Sequence, residues 1–370
     1  MSCKKVLHVF NILNRGGAET FIYNIYKQID KNKYKFDFLL QSQEIGAYEK
    51  EFKKMGSQIY HLKKFKSSQP LRTIKESVSI IKQNGPYDAI HIPMQFYSSI
   101  YCIAAKKAGV KKIIVHSHNA NDKNQKNIIR HIYQKISQLI INAIATDKVS
   151  CGEEAGKYLF GRDTDYTVIH NGIDLKKFSK TNQNKIEQLR KEYNISTHVV
   201  IGEIARFAEQ KNQKFFIRIA KELVKRGTDF KIVLAGDGPE KKKIEAEIKK
   251  ANMESYFIMP GVIQDTNTYY RLFNVLVMPS LYEGFPVTVI EAISCATPCI
   301  LSSKITREAS IADEAVRFID LDAPIKEWCD SIIDMSNKHL DGERLRIKLK
   351  QKGFNIESTV KQIEKLYEDR

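Results

Sequence analysis

Two doubly wound α/β domains in succession are the fold this 370-residue sequence predicts. Three observations carry it. Short apolar, strand-like runs alternate with longer amphipathic segments, the pattern of a parallel sheet flanked by helices. The alternation comes in two series, separated by a polar, lysine-rich stretch. The chain is also longer than one hydrophobic core usually serves.

The first series opens with a β-run over Lys5 to Ile12. Gly16-Gly17 breaks it, and Ala18 to Ile29 has helical spacing. Strand-like runs recur at Phe36–Leu40, Ala89–Ile92 and Lys112–His116. The second series begins at His198–Ala205 and continues through Phe230–Ala235, Phe257–Met259, Val275–Met278 and Pro298–Leu301. Phe215–Arg226 and Lys241–Ala251 are amphipathic segments within it. Asn171–Asn194 reads as the linker. The expected domains are residues 1–175, joined by a last helix within 355–370, and residues 196–354. Open α/β sheets bind ligands at the carboxyl ends of their strands, so two facing sheets predict a ligand crevice between them.

Composition narrows the class. No run of eighteen apolar residues exists, so no membrane span is expected. Met1-Ser2-Cys3-Lys4-Lys5 leads straight into a strand, and six cysteines are scattered along the chain. A cytoplasmic protein with reduced thiols and no zinc site is the expectation. The net charge is +17, and residues 1–175 hold 27 Lys/Arg against 15 Asp/Glu. Such a balance suits an anionic partner, and equally a solvated lysine-rich surface. No recognition helix, RNA-binding aromatic motif or zinc finger is visible, so nucleic acid is not expected as a partner.

The most informative stretch is Glu283-Gly284-Phe285-Pro286-Val287-Thr288-Val289-Ile290-Glu291. It follows the apolar run Val275–Pro279, a buried strand. Pro286 suits the first position of a helix, where its missing amide costs nothing. Glu283 then falls in the strand-to-helix turn, and Glu291 one turn past Val287 on the same face. Between the acids, the amides of Val287 and Thr288 point out of a helix N-terminus, a site for phosphate. Two carboxylates flanking a phosphate site suit a ligand with hydroxyls at both ends, such as a nucleotide-sugar.

Other motifs also sit at strand ends. Arg206 and Lys211 follow the strand 199–205, with Lys211-Asn212 opening the next helix; the pair suits a diphosphate, though by spacing alone solvated turn cations are the commoner case. Gly16 and Gly17 let backbone approach a ligand, or simply reverse the chain. Gly236-Asp237-Gly238-Pro239 reads as a tight turn rather than a full phosphate loop. His116-Ser117-His118-Asn119 is a polar cluster directly after Ile113-Ile114-Val115. It lacks further ligands for a metal and a nucleophile elbow for acyl transfer, so hydrogen bonding to a polar ligand fits best. His170-Asn171-Gly172-Ile173-Asp174 reads as a turn joining the domains.

In this order, Gly-Gly-Ala-Glu (16–19), His-Ser-His-Asn (116–119), His-Asn-Gly-Ile-Asp (170–174), Arg206 with Lys211-Asn212, and Glu-Gly-Phe-Pro through Glu291 resemble the retaining glycosyltransferases of family 4. These are two-domain Rossmann-like enzymes of the GT-B fold, and the nearest likeness is to bacterial exopolysaccharide and capsule enzymes. The resemblance runs almost end to end and includes the last helix, Ile356–Tyr367, which in that fold crosses back to the first domain. It implies that Glu291 binds ribose hydroxyls, that Glu283 holds donor-sugar hydroxyls, and that Arg206 and Lys211 neutralise the departing diphosphate. Gly16 and Gly17 bring main chain to phosphate or acceptor. His118, with His116, bonds the transferred sugar. No cofactor or metal is implied, because Arg and Lys replace the cation.

The chain departs from the family pattern in two places. Ala296 stands where glycine usually precedes Thr297-Pro298, and Pro93 stands where relatives often place a second histidine after His91. The expected activity is retaining transfer of a hexose or N-acetylhexosamine from a UDP-sugar to a lipid-diphosphate-linked glycan, at the inner leaflet of the plasma membrane. A UDP-sugar 2-epimerase and a non-catalytic nucleotide-sugar-binding subunit are the alternatives. Oligomeric state is not legible.

Overall fold

The computed structural model describes residues 3–63, 65, 66, 68–120, 128–196 and 199–368. His198, where a strand was expected to start, lies outside them, as do the chain ends. The chain divides into two compact units, residues 1–172 with 356–370, and residues 173–355.

Unit 1 is built from β1 (Lys4–Phe10), α1 (Gly17–Gln28), β2 (Tyr34–Leu40), α2 (Glu49–Lys54), β3 (Ile59–His61), α3 (Pro70–Asn84), β4 (Ala89–Ile92), α4 (Ser98–Ala108), β5 (Lys112–Ser117), α5 (Ile128–Ile144), β6 (Asp147–Ser150), α6 (Glu153–Phe160) and β7 (Thr167–Val168). The seven strands form one sheet in the order β3-β2-β1-β4-β5-β6-β7, and all pairings are parallel. Strand alternation sends Val6 and Phe10 into one core and Leu7 and Val9 into another, on opposite faces. Asp37 and Lys112 are charged side chains buried in this sheet. Asp37 is fully enclosed, and it is compensated by Lys5 at 3.2 Å, the Tyr87 hydroxyl at 3.2 Å and the Gln58 amide at 2.9 Å.

Unit 2 opens with α7 (Leu175–Ser179) and α8 (Gln183–Glu192). It continues with β8 (Val199–Ile204), α9 (Phe215–Lys225), β9 (Phe230–Ala235), α10 (Lys241–Lys250), β10 (Phe257–Gly261), α11 (Thr266–Leu272), β11 (Val275–Met278), α12 (Val287–Ser294), β12 (Cys299–Ser302), β13 (Val316–Ile319), α13 (Ile325–Ser336) and α14 (Gly342–Gln351). Its six-stranded parallel sheet runs β10-β9-β8-β11-β12-β13. In both sheets the order reverses beside the first strand of the unit, so β1 and β8 each stand at a topological switch point.

The segment expected as a linker is structured instead. It forms α7 and α8, which fold onto unit 2. Phe178 and Ile186 are buried, Asn267 donates to the carbonyls of Lys177 and Lys180, and Arg271 donates to that of Phe178. The stretch is polar because each short helix buries a single apolar side chain. The first boundary accordingly lies at Gly172, not 175, and the second at Asn355.

The last helix, α15 (Ile356–Glu368), belongs to unit 1. Ile356, Val360, Ile363 and Tyr367 join the core on the Val6 face of the sheet. Tyr34 donates to Glu368 at 2.9 Å, and Lys4 donates to the Tyr367 carbonyl at 2.8 Å.

Candidate active site

The C-terminal ends of β8 and β11 gather most of the sequence-predicted residues of unit 2. Lys211 lies 2.6 Å from Glu283, and both side chains are largely shielded from solvent. Lys211 does not open a helix as expected. It ends a 3₁₀ turn over Glu209–Lys211, and Asn212 then adopts φ 54° before α9 begins at Phe215. The left-handed Asn212 frees its side chain to donate to the Pro279 carbonyl at 3.0 Å, which fastens this turn to the end of β11. Gln210, which sequence reasoning missed, adds to the join. It donates to the Tyr282 carbonyl at 2.9 Å, and its own carbonyl accepts from the Leu281 amide at 2.8 Å.

Arg206 is exposed on the segment after β8. That segment is held by the Gly236–Gly238 turn: Ala205 donates to Ala235 and Phe207 to Asp237, at 3.0 and 2.9 Å. Gly236 (φ 140°) and Gly238 (φ 155°) have no room for a Cβ, which would overlap the carbonyl oxygens of Ala205 and Phe207. These glycines therefore serve close backbone packing beneath Arg206.

Pro286 is the N-cap of α12, one residue ahead of the expected position, with Val289 donating to its carbonyl at 3.0 Å. Helix geometry leaves the amides of Val287 and Thr288 without an intrahelical acceptor, between Glu283 and Glu291. Glu291 is half-buried and accepts from the Tyr270 hydroxyl at 2.7 Å. Burial raises its pKa, against the opposing pull of the Tyr270 bond and of Lys177. Tyr270 orients the carboxylate from α11, and no local motif announced it.

Glu203 is the second residue the sequence hid. It sits in β8, 2 % exposed, with Oε1 lacking a hydrogen-bond partner. Burial pushes its pKa up to about 8; Lys211 and Gln213 pull it down, and Glu283 pushes it further up. A carboxyl that is neutral at pH 7 thus stands behind the Lys211–Glu283 pair.

In unit 1, Gly16 caps α1, and a Cβ there would overlap the Glu19 carboxylate. Gly17 is the first helical residue. Phe21, one turn on, packs edge-on against His116 at 5.3 Å and tilted against His118 at 5.5 Å. The start of α1 and the end of β5 are therefore neighbours. His118 is half-buried and stacks on His116 at 4.1 Å, while His116 is fully enclosed.

His91, two residues before the departure at Pro93, joins them. Its Nε2 lies 3.1 Å from His116 Nδ1, and its Nδ1 lies 2.8 Å from the Tyr367 hydroxyl. His8 packs tilted against His91 at 5.2 Å. Burial drives all four pKa values down, those of His91 and His118 to about 3, so the rings are neutral at pH 7. Among the described residues, no group of three His, Cys, Asp or Glu side chains converges as metal ligands.

A parallel doubly wound pair with these residues at strand ends is the architecture of a GT-B glycosyltransferase. Residues 15–177 match the family described as "Glycosyltransferase Family 4", and residues 185–370 match "Glycosyl transferases group 1". The chain belongs to the family-4 glycosyltransferases and is a hexosyltransferase. It is 37% identical over 335 residues to the putative glycosyltransferase EpsF of Bacillus subtilis, covering 90% of this chain and 87% of that one. It is 25% identical to the capsular polysaccharide biosynthesis glycosyltransferase CapH of Staphylococcus aureus, covering 98% of each. In structure it matches Anabaena HepE, solved in complex with UDP and glucose, with TM-score 0.79 at 18% identity over 98% of each chain.

Proposed function

We propose that this enzyme transfers a hexose or N-acetylhexosamine from a UDP-sugar to a lipid-diphosphate-linked glycan in bacterial exopolysaccharide or capsule synthesis, with retention of anomeric configuration. The observation that carries the reading is the α12 N-terminus, flanked by Glu283 and Glu291, with Lys211 paired to Glu283 at 2.6 Å. The relatives support the setting. CapH carries a capsular polysaccharide biosynthesis name, and an Escherichia coli relative, 25% identical over 81% of this chain, is a UDP-Gal:α-D-GlcNAc-diphosphoundecaprenol α-1,3-galactosyltransferase. HepE was solved with UDP.

In this reading Glu291 takes the ribose hydroxyls, and the amides of Val287 and Thr288 meet the diphosphate. Lys211 turns from Glu283 to the phosphates when donor enters, joined by Arg206. Glu283 is thereby released to hold hydroxyls of the donor sugar, and His118 bonds the same sugar. Gly16 and Gly17 admit main chain to phosphate or acceptor. The acceptor hydroxyl attacks C1 on the face that UDP leaves: the C1–O bond to phosphate breaks, the new C1–O bond forms, and the hydroxyl proton passes to the departing diphosphate. Two cations and a helix N-terminus stabilise that leaving charge without a metal or cofactor.

A thermal-shift panel of nucleotide-sugars tests the donor. At 100 to 1,000 times its dissociation constant, a true donor adds roughly 2.7–4.1 kcal/mol of stability. Equal shifts for UDP-, GDP- and ADP-sugars would sink the UDP assignment. Incubation with UDP-GlcNAc alone yields no epimer, and donor binding without turnover on any lipid-linked acceptor would instead mark a non-catalytic subunit.

A further inference from the structure

Helix α5 carries apolar side chains on two faces. Its inward face, with Ile141, Tyr133 and Ile144, packs into the core of unit 1. Its outward face presents Ile128, Ile129, Ile132, Ile136 and Leu139 to solvent, with Ile129 80% and Leu139 70% exposed. At about 100° per residue these five fall within an arc of roughly 100°, a continuous stripe along a helix about 25 Å long. They are half of the ten large apolar side chains that stand exposed among the described residues. The fold gains nothing from them, and water penalises them, so the stripe implies a surface that covers it.

Charge selects that surface. From residue 123 to residue 146 the sequence contains no Asp or Glu, whereas Lys123, Lys126, Arg130 and Lys135 are basic. Lys135 is exposed and lies within one residue step of the stripe. The whole chain carries +17. A second copy docking stripe to stripe would set Arg130 and Lys135 against their counterparts. A bilayer of anionic phospholipid satisfies both features, with apolar side chains entering the acyl boundary and cations meeting phosphate. At 17 residues, α5 is suited to lie in the interface plane, and no described helix is long and apolar enough to cross a membrane.

We propose that the Ile128–Leu139 stripe of α5 is a membrane-docking surface that seats the enzyme on anionic phospholipid. The assignment rests on the reading that the acceptor is lipid-linked. It places the anchoring in apolar insertion by one helix, with general lysine attraction as a secondary contribution.

The test is sedimentation of the full-length protein with vesicles of equal parts phosphatidylcholine and phosphatidylglycerol. The wild type binds, and a measurable part of the binding survives about 0.5 M salt, where surface electrostatics are screened. The triple variant Ile132→Ser, Ile136→Ser, Leu139→Ser partitions at least about tenfold more weakly and melts like the wild type. Ile136→Trp gives an independent readout, in which brominated phospholipid quenches the new fluorophore. Undiminished binding by the triple variant, no quenching, or a wild-type dimer that the variant dissociates while vesicles bind neither would each overturn the proposal. Transfer to a water-soluble acceptor analogue separates the two readings. If transfer proceeds without vesicle binding, docking is wrong and the enzymatic reading stands; if vesicles bind without transfer, the reverse holds.

Discussion

Lys211 and Glu283 form a 2.6 Å pair that must open for both to serve a donor. Lys211→Ala and Arg206→Ala therefore lower kcat/KM by roughly 10²–10³-fold, the scale of losing one stabilising group at a leaving charge. Neither should lower the melting temperature as much as a core substitution does. A fall in stability matching the fall in turnover would reassign them to structural roles.

Glu203 has a pH signature. Its folded pKa is raised from 4.5 to about 8, so the folded state holds a proton that the unfolded state has lost. Stability therefore declines as pH rises from about 5 to 8, and Glu203→Gln removes that part of the decline. Parallel melting curves for wild type and Glu203→Gln across this range would refute the assignment. Neither Glu203 nor Tyr270 was legible from sequence. Each acts through a neighbour brought close by the fold, and a lone Glu in a strand or Tyr in a helix carries no pattern. The Glu283–Glu291 element was legible because its chemistry is local: strand, turn, proline and helix lie within seventeen residues.

Among the elements, the strands with a continuous apolar run were read correctly and those without one were not. β3 (Ile-Tyr-His), β6 (Asp-Lys-Val-Ser), β7 (Thr-Val) and β13 (Val-Arg-Phe-Ile) have no apolar run to announce them. They exist because a neighbouring strand offers an edge. The C-terminal helix illustrates the reverse case, a strong local pattern with a distant destination. Ile363 is fully buried in the unit 1 core, so Ile363→Ala costs about 2–5 kcal/mol, measurable by denaturant titration. A loss below about 1 kcal/mol would mean that α15 is only loosely docked.

The histidine row spans β1, β4 and the end of β5, with Tyr367 of α15 bonded to His91. Its depressed pKa values mean that the unfolded chain binds protons below pH 6.5 which the folded chain refuses. Stability is complete above that value and is lost as pH falls towards 3. His91→Phe, which keeps the ring and removes the titration, should flatten part of this acid slope. An unchanged slope would show that the row does not titrate on unfolding.

For the whole molecule, the sequence reached the fold class, the family and the order of the motifs. It missed where the chain passes between units, because α7 and α8 are too polar to look packed. The spatial destination of positive charge was equally hidden. Only the folded helix α5 shows an apolar stripe lying beside cations.

The most direct check of the central claim is calorimetric titration of UDP-glucose, UDP-galactose and UDP-GlcNAc into the wild type, Glu291→Gln and Lys211→Ala. Saturable binding of at least one donor is expected, weakened by about tenfold or more in each variant, with the fold intact. Donor affinity unchanged by both substitutions would contradict the claim.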